Sequence, residues 1–309
     1  MNIYRLLLRA YPQVWRDRYG DEFLVVLASH PFSLLEGIDI LQGALDAHLH
    51  PYLGTATLAL SERMRLMLST LRRSLLTMFC AYSAFLVAGI AFQKLTEYHD
   101  FAEAAQAHSL VGISFKLVVI GAVVALFAVL LGGLPIVVAV VRDALIRKRY
   151  GLLFLLATPV LALAVCISTT LLLEALAPVG VSTFLTLLSR GIFVAVFLGA
   201  AVVSTGAVCF AVVRSQIPVR LLRFALLPSL LLTLAMLVML LAIVVWGLSL
   251  GSNVPQLFNS NEGMFGTSTS GSWLRIVLVM AIATGLAAFS LVRGFSARSV
   301  LHTGDKRAR

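Results

Sequence analysis

The chain has 309 residues, of which 60% are apolar and only 12% charged, with a mean hydropathy of +0.98, a composition that excludes an ordinary soluble domain. Its net charge of +10 does not call for a nucleic-acid partner, because the basic residues are sorted by side of a membrane. In a six-span arrangement only Lys94, Lys116, Arg190 and Arg275, of 24 Lys and Arg, fall on one side; the positive-inside rule then puts the other side and both chain ends in the cytoplasm, where anionic lipid meets the basic surface.

Residues 1–54 read as a small cytoplasmic helical domain. Asn2 can cap a short helix in which Ile3, Leu6 and Leu7 share one face. Pro12 suits a first helical position, where no intrahelical N–H bond is needed. From Gln13 to Ala28 the residues Trp15, Tyr19, Phe23 and Val26 or Leu27 recur at three- and four-residue steps, which makes an amphipathic helix. His30-Pro31 ends it. Ser33-Leu34-Leu35-Glu36 forms a capping box for a third helix reaching about Leu49, with Leu34, Ile38, Leu41, Leu45 and Leu49 as its expected core stripe. His48 and His50, at its end, read as helix-dipole partners or surface groups. About fifty residues supply little core, so docking to the membrane part is expected to help this mini-bundle.

Within this region Tyr11, Pro12, Trp15, Arg16, Tyr19, Gly20 and Glu22 fit the pattern Y-P-x-x-[FW]-R-x-x-[YF]-G-x-E, followed downstream by Gly43-Ala44-Leu45-Asp46-Ala47-His48-Leu49. The stretch resembles the permease-prefix domain found on bacterial multi-span proteins and on some ABC-type permeases of the macrolide-exporter class. The likeness covers about fifty residues; beyond them the chain has closely spaced spans and no large extracytoplasmic domain. The resemblance implies a cytoplasmic helical module in a bacterial membrane protein, sometimes associated with transcriptional-regulator partners. Arg16, Arg18 and Glu22, beside the aromatic ridge, are the candidate partner-binding residues; the alternative is that the motif only stabilises the mini-bundle.

Residues 55–73 carry Arg63, Arg65, Arg72 and Arg73 among Met64, Met67, Leu68 and Leu71. Such a helix can lie in the lipid interface or simply continue the first span. No cleavable signal peptide is expected ahead of that span, since an early apolar core with a small-residue cleavage site is missing. Six stretches then carry no charge: Leu75 to Phe92, Leu117 to Val141, Leu152 to Leu173, Gly191 to Val213, Phe224 to Leu248 and Ile276 to Val292. At about 1.5 Å per residue each can cross roughly 30 Å of hydrocarbon, the shortest two with flanking residues or little tilt. The domain that they build is expected over 74–293, followed by a basic cytoplasmic tail, 294–309.

The inner ends Ala139-Val140-Val141-Arg142, Ala211-Val212-Val213-Arg214 and Ser290-Leu291-Val292-Arg293 read alike, as repeated hairpins would, or as positive-inside selection alone produces. Pro135, Pro159 and Pro228 are expected to bend their helices. Outside the spans, Thr96-Glu97 can cap a short surface helix carrying Tyr98, Phe101 and Ala105. The segment from Ser249 to Trp273 reads as an irregular loop with interfacial anchors at Trp246 and Trp273.

Polar chemistry at membrane depth is absent from the six stretches, and no HExxH, P-loop, Rossmann or G-x-S-x-G pattern occurs. Glu174 and Arg190 form an expected interfacial ion pair across the second outer loop. His99, Asp100, Glu103 and His108 are close in sequence, and the solvated-surface reading outweighs a metal site. Cys80, Cys209 and Cys166 lie within spans and read as packing residues. The expected fold class is therefore all-α, a six-span bundle with an N-terminal helical domain. No enzyme activity, cofactor, metal or nucleic-acid partner is implied. The expected partners are the lipid bilayer, a cytoplasmic protein or membrane subunit, and a second copy through small residues such as Ala200 and Ser204. A permease-like role for a hydrophobic or amphipathic solute is the alternative, which bent helices and a central polar cleft would favour.

Overall fold

The computed structural model describes residues 3–28, 34–49, 60–97, 99–176, 183–215, 217–260 and 267–307, and all regular structure among them is helical. The N-terminal helices are α1 (Ile3–Leu8), α2 (Gln13–Ala28) and α3 (Leu34–Leu49). Then follow α4 (Leu60–Leu95), α5 (His99–Ala107), α6 (Ser109–Ile146), α7 (Tyr150–Leu176), α8 (Thr183–Arg214), α9 (Val219–Asn253), α10 (Pro255–Phe258) and α11 (Thr269–Arg307). The uncharged stretches fall in α4, α6, α7, α8, α9 and α11, six helices long and apolar enough to cross a bilayer. The expected all-α, multi-span fold is thus what the chain adopts. Asn2, Ser33 and His50 lie outside the described residues, as does the side chain of Glu36.

Backbone contacts divide the chain into two units, residues 1–75 with 288–309, and residues 76–287. In α4 the helix runs unbroken from Leu60 through the basic segment into the first apolar stretch. Of the two expectations for residues 55–73, the continuation holds from Leu60 onward.

In the second unit the most extensive contact among the described residues joins α6 to α9. Lipid tails are as apolar as leucine, so helices associate by close fit rather than by escape from water. Small residues on α6 make that fit: a Cβ added at Gly121 would collide with the Met239 side chain, and one at Gly132 would lie 3.1 Å from Pro228 Cβ. Each proline-containing span continues as helix through its proline. In α6, α9 and α11 buried or half-buried hydroxyls bond back within their own helices, as hydrocarbon favours: Ser114 donates to Leu110 O (2.6 Å), Ser229 to Ala225 O (2.7 Å), Thr233 to Ser229 O (2.9 Å) and Thr284 to Met280 O (2.8 Å).

The tryptophans correct the reading of interfacial anchors. Trp246 is only 1% exposed. It meets Phe92 edge-on at 5.0 Å and Phe101 at 5.8 Å. Trp273 lies over Gly247, where any Cβ would strike its indole ring, and its Nε1–H donates to Ile243 O at 2.9 Å. Glycine on α9 makes room for the indole, and the indole in turn closes a hydrogen bond across two helices.

Two connections differ from the sequence reading for related reasons. The Thr96 hydroxyl, expected to cap the helix that follows, donates back to Phe92 O and Gln93 O at the end of α4. Helix α5 does not lie as a free surface helix either, since Phe101 and Ala104 are buried and α5 packs on α6. The segment from Ser249, expected to be an irregular loop, is instead helical to Asn253 in α9 and again over α10 to Phe258. By contrast α7 and α8 pair mainly with each other, and only 6% of the most apolar window of either is buried, against 50% in α9.

Candidate protein-binding face

Within the N-terminal region the core is built by α1, α2 and α3. Leu8, Tyr11, Leu27, Ile40, Ala44 and Ala47 are buried together, with Tyr4, Leu7, Trp15, Phe23 and Leu24 packed around them. Tyr11 follows α1 and enters α2 through Pro12, whose carbonyl accepts the first helical bonds from the Trp15 and Arg16 N–H groups at 3.0 Å. Its ring stacks on Trp15 at 4.0 Å and meets Phe23 edge-on at 5.8 Å. Trp15 in turn touches Tyr19 and Phe23, both at 5.4 Å. The aromatic ridge expected from the four-residue spacing therefore exists, and it faces inward at its Tyr11 end. Burial raises the Tyr11 pKa above its ordinary value of 10.0.

The third helix presents a different face to this core than its leucine spacing suggests. The buried positions are Gly37, Ile40, Ala44 and Ala47, whereas Ile38, Leu41 and Leu45 are 51%, 49% and 52% exposed. The reason is volume. Tyr11 occupies the space opposite Gly43, where an added Cβ would press on the tyrosine hydroxyl, so α3 approaches through its small residues and turns its large stripe outward. The His48 ring N–H fixes the same orientation by donating to Ala10 O, with Nε2 at 2.9 Å; it bonds across the bundle rather than serving its own helix end. In α1, Ile3 and Leu6 are exposed while Leu8 is buried; in α2, of the two alternatives Val26 and Leu27, it is Leu27 that enters the core.

The result is an apolar stripe, Ile38-Leu41-Leu45, running along one side of α3 at three- and four-residue steps and edged by the exposed Asp39 and Asp46. Sequence reasoning missed this face because it took the largest side chains for the core. The missed signal was the row of small residues Gly37, Ala44 and Ala47, with Ile40 among them, beside an aromatic-rich α2. Of the candidates named from sequence, Arg18 and Glu22 are exposed one helical turn apart on α2, and the Arg18 guanidinium lies 5.1 Å from the Tyr19 ring. Arg16 is half-buried, and its Nε is enclosed without a hydrogen-bond partner. The three are on α2 and the stripe is on α3.

Other candidates separate from this face. The side chains of Glu174, Arg190 and His99 lie outside the described residues. Among the described residues no group of three or more His, Cys, Asp or Glu could hold a metal ion. At the C-terminal end of α4, Lys94 pairs with Glu97 at 2.9 Å; at the C-terminal end of α6, Arg147 pairs with Asp143 at 2.7 Å. No protein-family model, curated protein or solved structure matches the chain.

Proposed function

We propose that this is a non-enzymatic protein of the bacterial cytoplasmic membrane, with both ends in the cytoplasm, whose spans anchor an N-terminal helical module that binds a protein partner for regulation or assembly. The observation that carries this reading is the exposed stripe Ile38-Leu41-Leu45 on a helix that also bears acids. Scattered surface leucines need no explanation, but an ordered apolar row on an amphipathic helix is the form in which helices recognise one another. The acids beside it favour a partner helix with an apolar face flanked by Lys or Arg. Arg18 and Glu22 offer polar contacts on the neighbouring helix. The permease-prefix resemblance agrees with such a module, and the absence of charge from the span interiors agrees with an anchor.

The experiment is crosslinking and affinity capture from native membranes with the full chain, with Leu41→Glu combined with Leu45→Glu, and with residues 1–49 deleted. A discrete protein captured by the full chain and lost from both variants is the expected result. Capture unchanged by the double substitution would defeat the reading.

A second reading, a permease-like subunit for a hydrophobic solute, has one observation in its favour. A cavity of about 520 Å³ lies between α4 and α6, lined by Tyr82, Phe85, Gly89, Phe115, Ala122 and Met239 among others. Its size suits a small ligand, and its lining is apolar rather than the polar cleft that the sequence argument asked for. Solute uptake by the purified protein in liposomes, abolished by filling the cavity through Gly89→Leu, is its test; a Cβ at Gly89 meets no atom within 4 Å.

A further inference from the structure

Cys80 on α4 and Cys209 on α8 are 129 residues apart, yet their sulfurs lie 3.6 Å apart. The sequence independently gives them one depth. Cys80 follows Arg73, and Cys209 precedes Arg214, by seven and five residues, or about 10 and about 8 Å of helix from the basic end. Their surroundings select the chemistry that can reach them. Cys80 is exposed and Cys209 half-buried on helices that read as spans, so access is from the hydrocarbon rather than from water. An ion formed there would be costly.

We propose that Cys80 and Cys209 form a dithiol which a lipid-soluble oxidant of the quinone class converts to a disulfide, joining α4 covalently to α8. In that step both S–H bonds break, one S–S bond forms, and two electrons with two protons pass to the quinone, which leaves as the quinol. No net charge remains in the hydrocarbon, which sets a quinone apart from an electron-only oxidant in water. The sulfurs need to approach by about 1.5 Å to reach a disulfide bond length of about 2.05 Å. This inference is independent of the partner-binding reading.

The test uses the full chain in liposomes, reduced beforehand, with a fully ring-substituted short-chain benzoquinone that cannot alkylate thiols. After denaturation, free thiols are counted with a maleimide mass tag. The expected wild-type count falls from three to one, the remaining thiol being Cys166, with one quinol formed per protein; dithiothreitol restores three. Cys80→Ser and Cys209→Ser should each keep both of their tags. Three tags after quinone treatment, a disulfide-linked dimer in place of the internal bond, or loss of tags from either single variant would overturn the pair. Closure by iodine but not by the quinone, or equally fast closure by ferricyanide in water, would overturn the quinone assignment.

Discussion

Helix α7 and helix α3 expose leucine to the same degree and for opposite reasons. Leu161 in α7 is 50% exposed and Leu41 in α3 is 49% exposed. Around Leu161 the chain is uncharged from Leu152 to Leu173, so its surroundings are a solvent as apolar as itself, and exposure costs nothing. Around Leu41 the helix carries Asp39 and Asp46, groups that favour water. Exposure is thus not a property of a side chain alone; the charge pattern of its helix says which medium it faces, and only the second case leaves apolar surface to be covered.

One substitution made twice gives the largest effect that separates the two cases. Leu161→Asp places a carboxylate near the middle of a span and should cost roughly 3 kcal/mol of insertion, read as loss of protein from the membrane fraction. Leu41→Asp should change folding by less than about 0.5 kcal/mol, read by hydrogen exchange over residues 13–49 of the full chain. Equal outcomes would erase the distinction.

The next effect tests whether the N-terminal helices hold a core without their outward stripe. Trp15→Ala removes a half-buried indole that touches Tyr11, Tyr19 and Phe23, and should destabilise residues 13–49 by about 2 kcal/mol, below the range for a fully buried Trp. Unchanged exchange there would mean that the aromatic cluster does not organise the module. In α9, which differs from α7 in being packed, Trp273→Phe keeps a ring but deletes the bond to Ile243 O. A loss of about 1 kcal/mol is expected in unfolding from detergent micelles, and no loss would assign the packing to shape alone.

The smallest effect is a pH dependence. Burial raises the folded-state pKa of Tyr11 above 10.0, so the protonated hydroxyl favours the fold. That contribution is complete below about pH 10 and is lost as pH rises through the raised value. Protection of the module should therefore decline in strongly alkaline solution, and Tyr11→Phe should remove that share of the decline.

Much of the fold was legible because hydrocarbon demands uncharged runs of fixed length, and six such runs lie between Leu75 and Val292. What was not legible depended on which neighbour takes up volume. Leucine spacing in α3 is equally regular whether the stripe faces in or out, and Tyr11 against Gly43 decides it. Trp246 and Trp273 sit where interfacial anchors belong, but the space over Gly247 and between Phe92 and Phe101 admits them to the packing instead. The Cys80–Cys209 contact joins spans whose order around a bundle no local pattern encodes. Glu22 was singled out by the motif and Arg18 by its place beside the aromatic ridge, and both are exposed on α2, while the leucine stripe of α3 was assigned to the wrong side.

The central claim, that the α3 stripe meets a protein while the α7 leucines meet lipid, is tested most directly by a photo-activated benzophenone placed at position 41 and, separately, at position 161 of the full chain in native membranes. The expected products are a discrete protein adduct from position 41, lost when Leu45 is also changed to Glu, and lipid adducts alone from position 161. Lipid adducts alone from both positions would contradict the claim and make the stripe a membrane-contacting face.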